Sequence, residues 1–133
     1  MAKRYFEPEP WTVTEPVYRP DRNEFLETIF FLGNGYMGVR GTPEEGFSGK
    51  GTCPATYVAG IYDFIKVNPD WRVARYVDRC SVMMDSVTWT AVNLVLAGER
   101  FDPAKGRVTG YRRVLDMQAG TVTRCLVWED ARG

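Results

Sequence analysis

Residues 27–41, which read ETIFFLGNGYMGVRG, decide the fold that the sequence predicts. β-prone runs lie on both sides of the tight turn Gly33-Asn34-Gly35. Glycine and asparagine tolerate the positive φ angles that such turns require, so the pattern indicates a β-hairpin. We expect the first strand of this hairpin to cover residues 27–32.

The strand before the turn carries two adjacent aromatic residues, Phe30 and Phe31. In a strand their side chains face opposite sides of the sheet, so we expect this strand to be covered on both faces. A short helix of one or two turns is predicted over residues 21–27, because Asp21-x-x-Glu24 resembles a capping box.

Outside this segment, short β-prone runs alternate with turns and loops. The run 42–54 is rich in glycine and proline and is predicted as a loop, and residues 67–70 are predicted as a turn. Many short strands separated by such turns are typical of an all-β chain, so we predict an antiparallel β-sandwich with little helix. The predicted strands cover residues 11–15, 56–64, 111–117 and 121–128, and a long β-prone region at 81–97 contains an alternating run at 89–96. Residues 111–117 and 121–128 form a second predicted hairpin, joined at residues 118–120. On its returning strand Val122, Leu126 and Trp128 are expected to share one face with Arg124.

Composition excludes several classes of protein. The 133 residues suffice for one domain, and 44% of them are hydrophobic, which is typical of a globular chain. Lys plus Arg and Asp plus Glu number 17 each, so no overall field favours nucleic acid or an anionic membrane. No apolar run is long enough for a membrane helix, and no apolar signal segment follows the N-terminus, so we expect a cytoplasmic protein.

The inventory of reactive side chains is small. The chain has no histidine, which excludes Ser-His-Asp and Cys-His catalysis. The cysteines Cys53, Cys80 and Cys125 are widely spaced and form no metal-binding pattern, so we interpret them as reduced structural thiols and predict no metal site. The adjacent acids Glu44 and Glu45 are interpreted as solvated surface charge rather than catalytic groups.

Three sequence blocks carry a resemblance to a known family. They are residues 27–41, read as E-T-x-F-x-L-G-N-G-Y-x-G-x-R-G, residues 56–63, TYVAGIYD, and residues 115–120, LDMQAG, running on to Arg124. In this order the blocks resemble the N-terminal domain of glycoside hydrolase family 65. That family contains maltose, trehalose and kojibiose phosphorylases and some α-glucoside hydrolases.

The resemblance implies that residues 1–133 form an incomplete N-terminal part of a larger β-sandwich, and that a catalytic (α/α) barrel lies outside this chain. The full protein would cleave an α-linked glucose disaccharide by inverting phosphorolysis or hydrolysis. The disaccharide, and the choice between the two reactions, stay open. The resemblance implies no cofactor, with inorganic phosphate as co-substrate in a phosphorylase, and no catalytic residue in this chain. We expect a homo-oligomer whose disaccharide substrate binds through the catalytic domain.

A different class of function stays open beside this one. The chain could be a stand-alone carbohydrate-binding or protein-interaction β-module without catalysis. An aromatic row exposed on one sheet face would favour such a module, whereas a large apolar patch awaiting further chain would favour part of an enzyme.

The candidate site residues are few. Arg40 follows the turn among residues expected to be partly buried, and a buried arginine must be paired, so we interpret it as the ion-pair partner of Glu27. A reach of Arg40 across a domain interface toward the sugar is the alternative. Tyr36 and Asp63 combine an aromatic face with polar groups, as sugar-contacting surfaces do, and are the other candidates for sugar or domain-interface contact.

Overall fold

The computed structural model describes residues 5–67 and 77–130, and it contains ten β-strands, one α-helix and two 3-10 turns. The predicted turn at residues 67–70 lies almost wholly outside the described residues. In chain order the strands are β1 (Glu7–Pro8), β2 (Thr12–Glu15), β3 (Leu32–Gly33), β4 (Met37–Val39), β5 (Thr56–Lys66), β6 (Arg79–Asp85), β7 (Val95–Leu96), β8 (Glu99–Arg100), β9 (Gly106–Asp116) and β10 (Thr121–Asp130).

These strands form antiparallel sheets, as predicted. The first sheet has the order β1-β2-β9-β10, the second has the order β3-β4-β5-β6, and β7 and β8 form a two-stranded ribbon. The all-β sandwich class is therefore confirmed. The helical elements are the 3-10 turns Pro20–Arg22 and Pro103–Lys105 and the helix α1 (Asn23–Ile29). Neither kind of helical element is long and apolar enough to cross a membrane.

The predicted strand over residues 27–32 is wrong. Helix α1 continues to Ile29, and only the last residue of that run enters β3. Along the helix the buried positions are Asn23, Leu26, Glu27 and Phe30, a spacing of i, i+3, i+4 and i+7 that marks one face of an α-helix. The β-prone residues around Phe30 are overridden because this face packs into the interior.

The small apolar core lies under helix α1. Leu26 and Phe30 pack against Leu115 of β9, and partly buried side chains surround these three. They come from the N-terminal segment, β2, α1, β3 and β10, namely Tyr5, Val13, Ile29, Leu32 and Val122. The helix therefore joins the inner face of the first sheet to the beginning of the second.

The predicted capping box does not form. The N-cap of α1 is Arg22, and it makes no side-chain capping hydrogen bond. Instead, the 3-10 turn Pro20–Arg22 leads directly into the helix, so the chain is already turning when the α-helix begins. The predicted helical turns over residues 21–27 therefore form as a 3-10 turn followed by an α-helix, which ends two residues later than expected.

The hairpin after the helix has the predicted turn. Leu32 pairs with Val39 across it, and the Asn34 Oδ1 accepts hydrogen bonds from the Tyr36 and Met37 N–H groups at 3.0 and 2.8 Å. Gly35 has φ +84°, the left-handed conformation that glycine adopts without strain. Gly33, in contrast, lies outside the positive-φ region.

The predicted hairpin at the end of the chain is longer than expected. Strands β9 and β10 pair along almost their whole length, with one irregularity between Cys125 and Val127. On β10 the partly buried side chains alternate with exposed ones. The inward face carries Val122, Arg124, Leu126 and Trp128, as the sequence alternation predicts.

The alternating residues in the middle of the chain do not form the long strand that they predicted. The predicted strand over residues 89–96 is reduced to β7, because the N–H of Val92 donates to the Glu44 carbonyl at 2.8 Å instead of to a strand partner. Residues 89–90 form a turn. The loop at residues 42–54 contains no strand, as predicted.

Candidate functional site

A cavity of about 380 Å³ opens beside the Gly33-Asn34-Gly35 turn. Its apolar wall comes from α1, the β3–β4 hairpin and β10, and its polar wall comes from three arginines and from the loops at residues 42–44 and 89–90. The lining residues are Phe30, Leu32, Gly33, Asn34, Met37, Val39, Arg40, Gly41, Thr42, Pro43, Glu44, Trp89, Thr90, Arg113, Gly120, Val122 and Arg124.

Arg40 lies in this wall and forms the predicted ion pair. Its Nη2 lies 3.7 Å from the Glu27 Oε2 and donates to the Glu24 carbonyl at 2.9 Å. Glu27 is completely buried. Besides the ion pair, it accepts three hydrogen bonds, from the Asn23 Nδ2 at 2.8 Å, the Thr52 hydroxyl at 2.6 Å and the Cys53 N–H at 2.8 Å. This carboxylate therefore fastens the end of the loop at residues 42–54 to helix α1.

Arg113 is the most deeply buried of the three arginines. It points inward from β9, and its guanidinium lies 4.1 Å from the centre of the Phe30 ring. Its Nη2 and Nε lie 2.7 and 2.8 Å from the Glu15 Oε2, and its Nη1 donates to the Gly41 carbonyl at 2.8 Å. The Tyr111 hydroxyl donates to the same Glu15 oxygen at 2.9 Å.

Burial dominates the titration of this cluster. It raises the pKa of the Glu15 carboxyl, although Arg113 and the Tyr111 hydroxyl act in the opposite direction. Burial also raises the pKa of Tyr111 above its ordinary value. The ring of Tyr18 lies 5.3 Å from that of Tyr111, and burial raises the pKa of Tyr18 to about 12. At neutral pH both phenols are therefore protonated.

Arg124 corrects the interpretation of the paired acids. Its Nη2 lies 3.2 Å from the Glu44 Oε2 and forms a short ion pair with the Glu45 Oε2. Glu45 is buried, so only its neighbour is a surface acid, with 58% of its side chain exposed. Burial alone would lower the pKa of Arg124, but the hydrogen bond and charge of Glu45, with Glu44 beside it, raise it.

The three arginines of the cavity are each compensated by a buried carboxylate. Arg40 faces Glu27, Arg113 faces Glu15, and Arg124 faces Glu45. A cavity whose cations are paired in this way offers hydrogen-bonding groups without a strong net field. The arrangement suits a neutral polar ligand better than an anion. Sequence reasoning recognised only the first pair, since the partners in the others are about 80 and 100 residues apart.

An exposed indole stands at the mouth of the cavity. Trp89 is 60% exposed and lies in the turn that leads to Thr90. The Val92 N–H bond to the Glu44 carbonyl ties this turn to the loop at residues 42–54. That loop is held further by Asp102, whose Oδ1 accepts from the Ser48 N–H at 3.4 Å. The turn at residues 89–90 is therefore connected to the loop at residues 42–54, and that loop is connected to Asp102.

The other predicted contact residues lie elsewhere. Tyr36 stands at the tip of the β3–β4 hairpin with 66% of its surface exposed, and it does not line the cavity. Asp63 lies on the exposed half of β5, where its Oδ1 accepts from the Phe64 N–H at 2.7 Å. Of the three candidates, the structure brings only Arg40 to the cavity, and contact of the other two with a sugar stays a prediction.

Metal ligands do not cluster in the described part of the chain. No group of three or more cysteine, aspartate or glutamate side chains there could hold a metal ion. Cys53, Cys80 and Cys125 are free thiols, and they lie in a loop, on β6 and on β10.

Comparison with known proteins places this architecture in a family. A family model described as glycosyl hydrolase family 65, N-terminal domain, matches residues 13–133. The chain belongs to glycosyl hydrolase family 65. The assignment agrees with the resemblance carried by the three sequence blocks.

Several disaccharide phosphorylases are similar to the chain over nearly its whole length. It is 36% identical to the α,α-trehalose phosphorylase of Thermoanaerobacter brockii, with 94% of this chain and 16% of the relative covered. It is 32% identical to the kojibiose phosphorylase of the same organism, with 92% and 14% covered. The maltose phosphorylase of Bacillus subtilis is 29% identical, with 96% and 17% covered.

A solved structure supports the fold. A putative kojibiose phosphorylase from human microbiome superimposes with a TM-score of 0.81 and 31% identity, over 96% of this chain and 17% of that one. The chain thus spans about one sixth of the length of the relatives it matches.

Proposed function

We propose that this domain belongs to an enzyme that cleaves an α-linked glucose disaccharide of the maltose, trehalose or kojibiose type by inverting phosphorolysis. The observation that carries the proposal is the family 65 match over residues 13–133, together with relatives named as phosphorylases of three such disaccharides. A stand-alone binding or interaction module is not favoured, because these relatives are named as enzymes. Hydrolysis of the same bond is the alternative reaction within the proposal.

The proposed reaction sets the division of labour. In inverting cleavage a general acid protonates the glycosidic oxygen as a nucleophile attacks the anomeric carbon from the opposite face. Phosphate as the nucleophile gives β-glucose 1-phosphate, whereas water activated by a general base gives β-glucose. Of the described carboxylates around the cavity, Glu15, Glu27 and Glu45 are each buried in an ion pair, which suits a structural role. The exposed Glu44 is paired with the same arginine as Glu45. We therefore propose that the reacting groups belong to a separate catalytic domain.

The proposed role of this domain is to support that catalytic domain. A scaffold needs rigid loops, and the loop at residues 42–54 is fastened at three points. Arg124 of β10 pairs with its two acids, Glu27 of α1 accepts two hydrogen bonds from its end, and Asp102 accepts from the Ser48 N–H. Tyr36 and Asp63 remain candidates for contacts across the domain interface. Assembly of the enzyme as a homo-oligomer, its location in the cytoplasm and the use of inorganic phosphate without another cofactor are parts of the same proposal.

The test is the reaction of the full-length protein that carries this domain. The purified protein is incubated with maltose, trehalose or kojibiose, with and without inorganic phosphate, and the products are followed by NMR. We expect β-glucose 1-phosphate from at least one disaccharide, and only when phosphate is present. Phosphate-independent release of glucose would assign hydrolysis instead.

A matched control tests the division of labour. Residues 1–133, expressed alone, should release neither glucose 1-phosphate nor glucose from the same three sugars. Turnover by this shorter protein that persists through repurification would overturn the placement of catalysis outside it. Absence of any cleavage of the three disaccharides by the full-length protein would overturn the proposed activity.

A further inference from the structure

The cavity beside the Gly33-Asn34-Gly35 turn combines features that suit a sugar ring. Its volume of about 380 Å³ falls in the range of roughly 300–1,000 Å³ that is usual for small-molecule sites. Leu32, Val39 and Val122 contribute apolar side chains to its lining, and Asn34, Arg40 and Glu44 contribute polar groups. Such a combination of an apolar surface with a few convergent polar groups is what a ligand with a hydrocarbon face and hydroxyl groups requires.

The mouth of the cavity supplies both kinds of contact. Trp89 offers an exposed indole face, on which the C–H face of a pyranose can stack. The Glu44 carboxylate, 58% exposed, is held 3.2 Å from the Arg124 guanidinium. A carboxylate fixed in this way can accept hydrogen bonds from two neighbouring hydroxyls. The Asn34 carbonyl oxygen is committed to the turn, which leaves its amide N–H₂ group to donate to the ligand.

The charges of the cavity favour a neutral ligand. Arg40, Arg113 and Arg124 are paired with buried glutamates, so an incoming phosphate would have to compete with carboxylates that are already in place. A sugar hydroxyl needs no such exchange, because it can donate to an oxygen or accept from a guanidinium N–H while the ion pairs stay intact.

We propose that this cavity binds a neutral hexopyranosyl unit, with Trp89 as the stacking surface and Glu44, oriented by Arg124, as the group that accepts from its hydroxyls. The choice of glucose as the hexose rests on the proposed function. Binding through one stacked ring and a few hydrogen bonds at an open mouth gives an affinity on the order of millimolar.

A local probe is needed, because the full-length enzyme would bind sugar elsewhere as well. The full-length protein is labelled with 5-fluorotryptophan and titrated with glucose, which the proposed reaction does not consume, while ¹⁹F NMR is recorded. The resonances of Trp89 and Trp11 are assigned from the variants Trp89→Phe and Trp11→Phe. Trp11 is a matched control because it has the same 60% exposure and does not line the cavity.

We expect the Trp89 resonance to move saturably with glucose while that of Trp11 stays in place. Glu44→Gln should weaken the apparent affinity at Trp89 by roughly tenfold, the lower end of the loss for a hydrogen bond to a charged group, because more than half of this side chain is exposed. Because Arg124 keeps its buried partner Glu45, this variant should have an unchanged melting temperature.

Several results would overturn the proposal. They are a Trp89 resonance that does not respond to glucose, an equal response to sorbitol, which has no ring face, and a stronger response to inorganic phosphate than to glucose. If another part of the full-length protein occupied the cavity, the Trp89 resonance would not respond to glucose. A saturable Trp89 response in a protein that cleaves none of the three disaccharides would support this site and overturn the proposed activity. Cleavage of a disaccharide without a Trp89 response would support the activity and overturn this site.

Discussion

Buried carboxylates set the positions of the loops around the cavity. Glu27 on α1 accepts hydrogen bonds from the Thr52 hydroxyl and the following backbone N–H, and it forms an ion pair with Arg40 of the hairpin, so one side chain joins three segments. The same logic holds for Glu15 and Glu45, which each receive an inward-facing arginine of the β9–β10 hairpin. Removing one partner from such a pair leaves the other charge buried and unpaired, and that is costly.

The change Glu27→Gln tests this role. The amide keeps the shape of the side chain but loses the charge that faces Arg40, so we expect the domain to be destabilised by about 3 kcal/mol. In the full-length protein the measurements are thermal unfolding and hydrogen exchange of peptides from residues 42–54, which should exchange faster.

The matched control for this prediction is Glu24→Gln. Glu24 lies on the same helix with an exposed side chain, and Arg40 contacts only its backbone carbonyl, which the substitution preserves. The control should change stability by less than about 0.5 kcal/mol. Equal effects of the two substitutions would contradict the assignment of Glu27 as the anchor of the loop.

At the scale of elements, local signals predicted turns and hairpins better than they predicted the helix. The β9–β10 hairpin was predictable because alternation in β10 and a turn that ends at Gly120 agree with each other. The helical face of α1 could have been found from the spacing of Asn23, Leu26, Glu27 and Phe30. Two of these four residues, Asn23 and Glu27, are polar. They are buried because Glu27 meets partners from distant segments, so hydrophobic periodicity alone was weak evidence for the helix.

The site was less predictable than the fold for a related reason. Arg40 and Glu27 are close in sequence, and their pairing followed from the need to neutralise a buried charge. Arg124 meets Glu44 only because the loop at residues 42–54 folds back onto the end of the chain. Trp89 reaches the cavity because a backbone hydrogen bond to the same loop holds its turn in place. Residue types and spacing carry no signal for such loop placements.

The hairpin turn yields a prediction at this scale. Gly35 has φ +84° and nothing within 4 Å of the position of an added Cβ, so a substitution would act through backbone strain rather than collision. Gly35→Val should destabilise the domain by about 1–3 kcal/mol, measured by thermal unfolding of the full-length protein. Gly35→Asn is the control and should cost less, because asparagine adopts the left-handed conformation more readily than valine. Indistinguishable melting temperatures for the two variants would show that φ at this position does not limit stability.

At the scale of the whole molecule, the outer half of the β5–β6 pair is uncovered on both faces. Tyr62 and Phe64 are exposed on one face, and Phe64 reaches 69% exposure. Ile61 and Ile65 are exposed on the other. A two-stranded ribbon is at best marginally stable in water, and a contiguous apolar surface of this kind marks a contact with another part of a protein. The sequence predicted a strand with apolar side chains on both faces at residues 27–32, but helix α1 occupies the first half of that run.

The last prediction concerns residues 1–133 expressed alone. With both faces of this ribbon open to solvent, we expect concentration-dependent association and fluorescence enhancement of a hydrophobic dye, because apolar surface that water contacts favours burial against a second copy. The double variant Tyr62→Thr/Phe64→Thr removes two aromatic rings and replaces them with threonine, which is β-branched and also favours strands. It should therefore bind less dye and dissociate more readily. Val87→Thr is the control, because Val87 is 78% exposed but lies outside the strands, and it should behave like the parent. Sedimentation velocity at several concentrations decides between the outcomes. A compact monomer that does not enhance the fluorescence of the dye and unfolds in one sharp transition would mean that the outer half of the β5–β6 pair needs no covering partner.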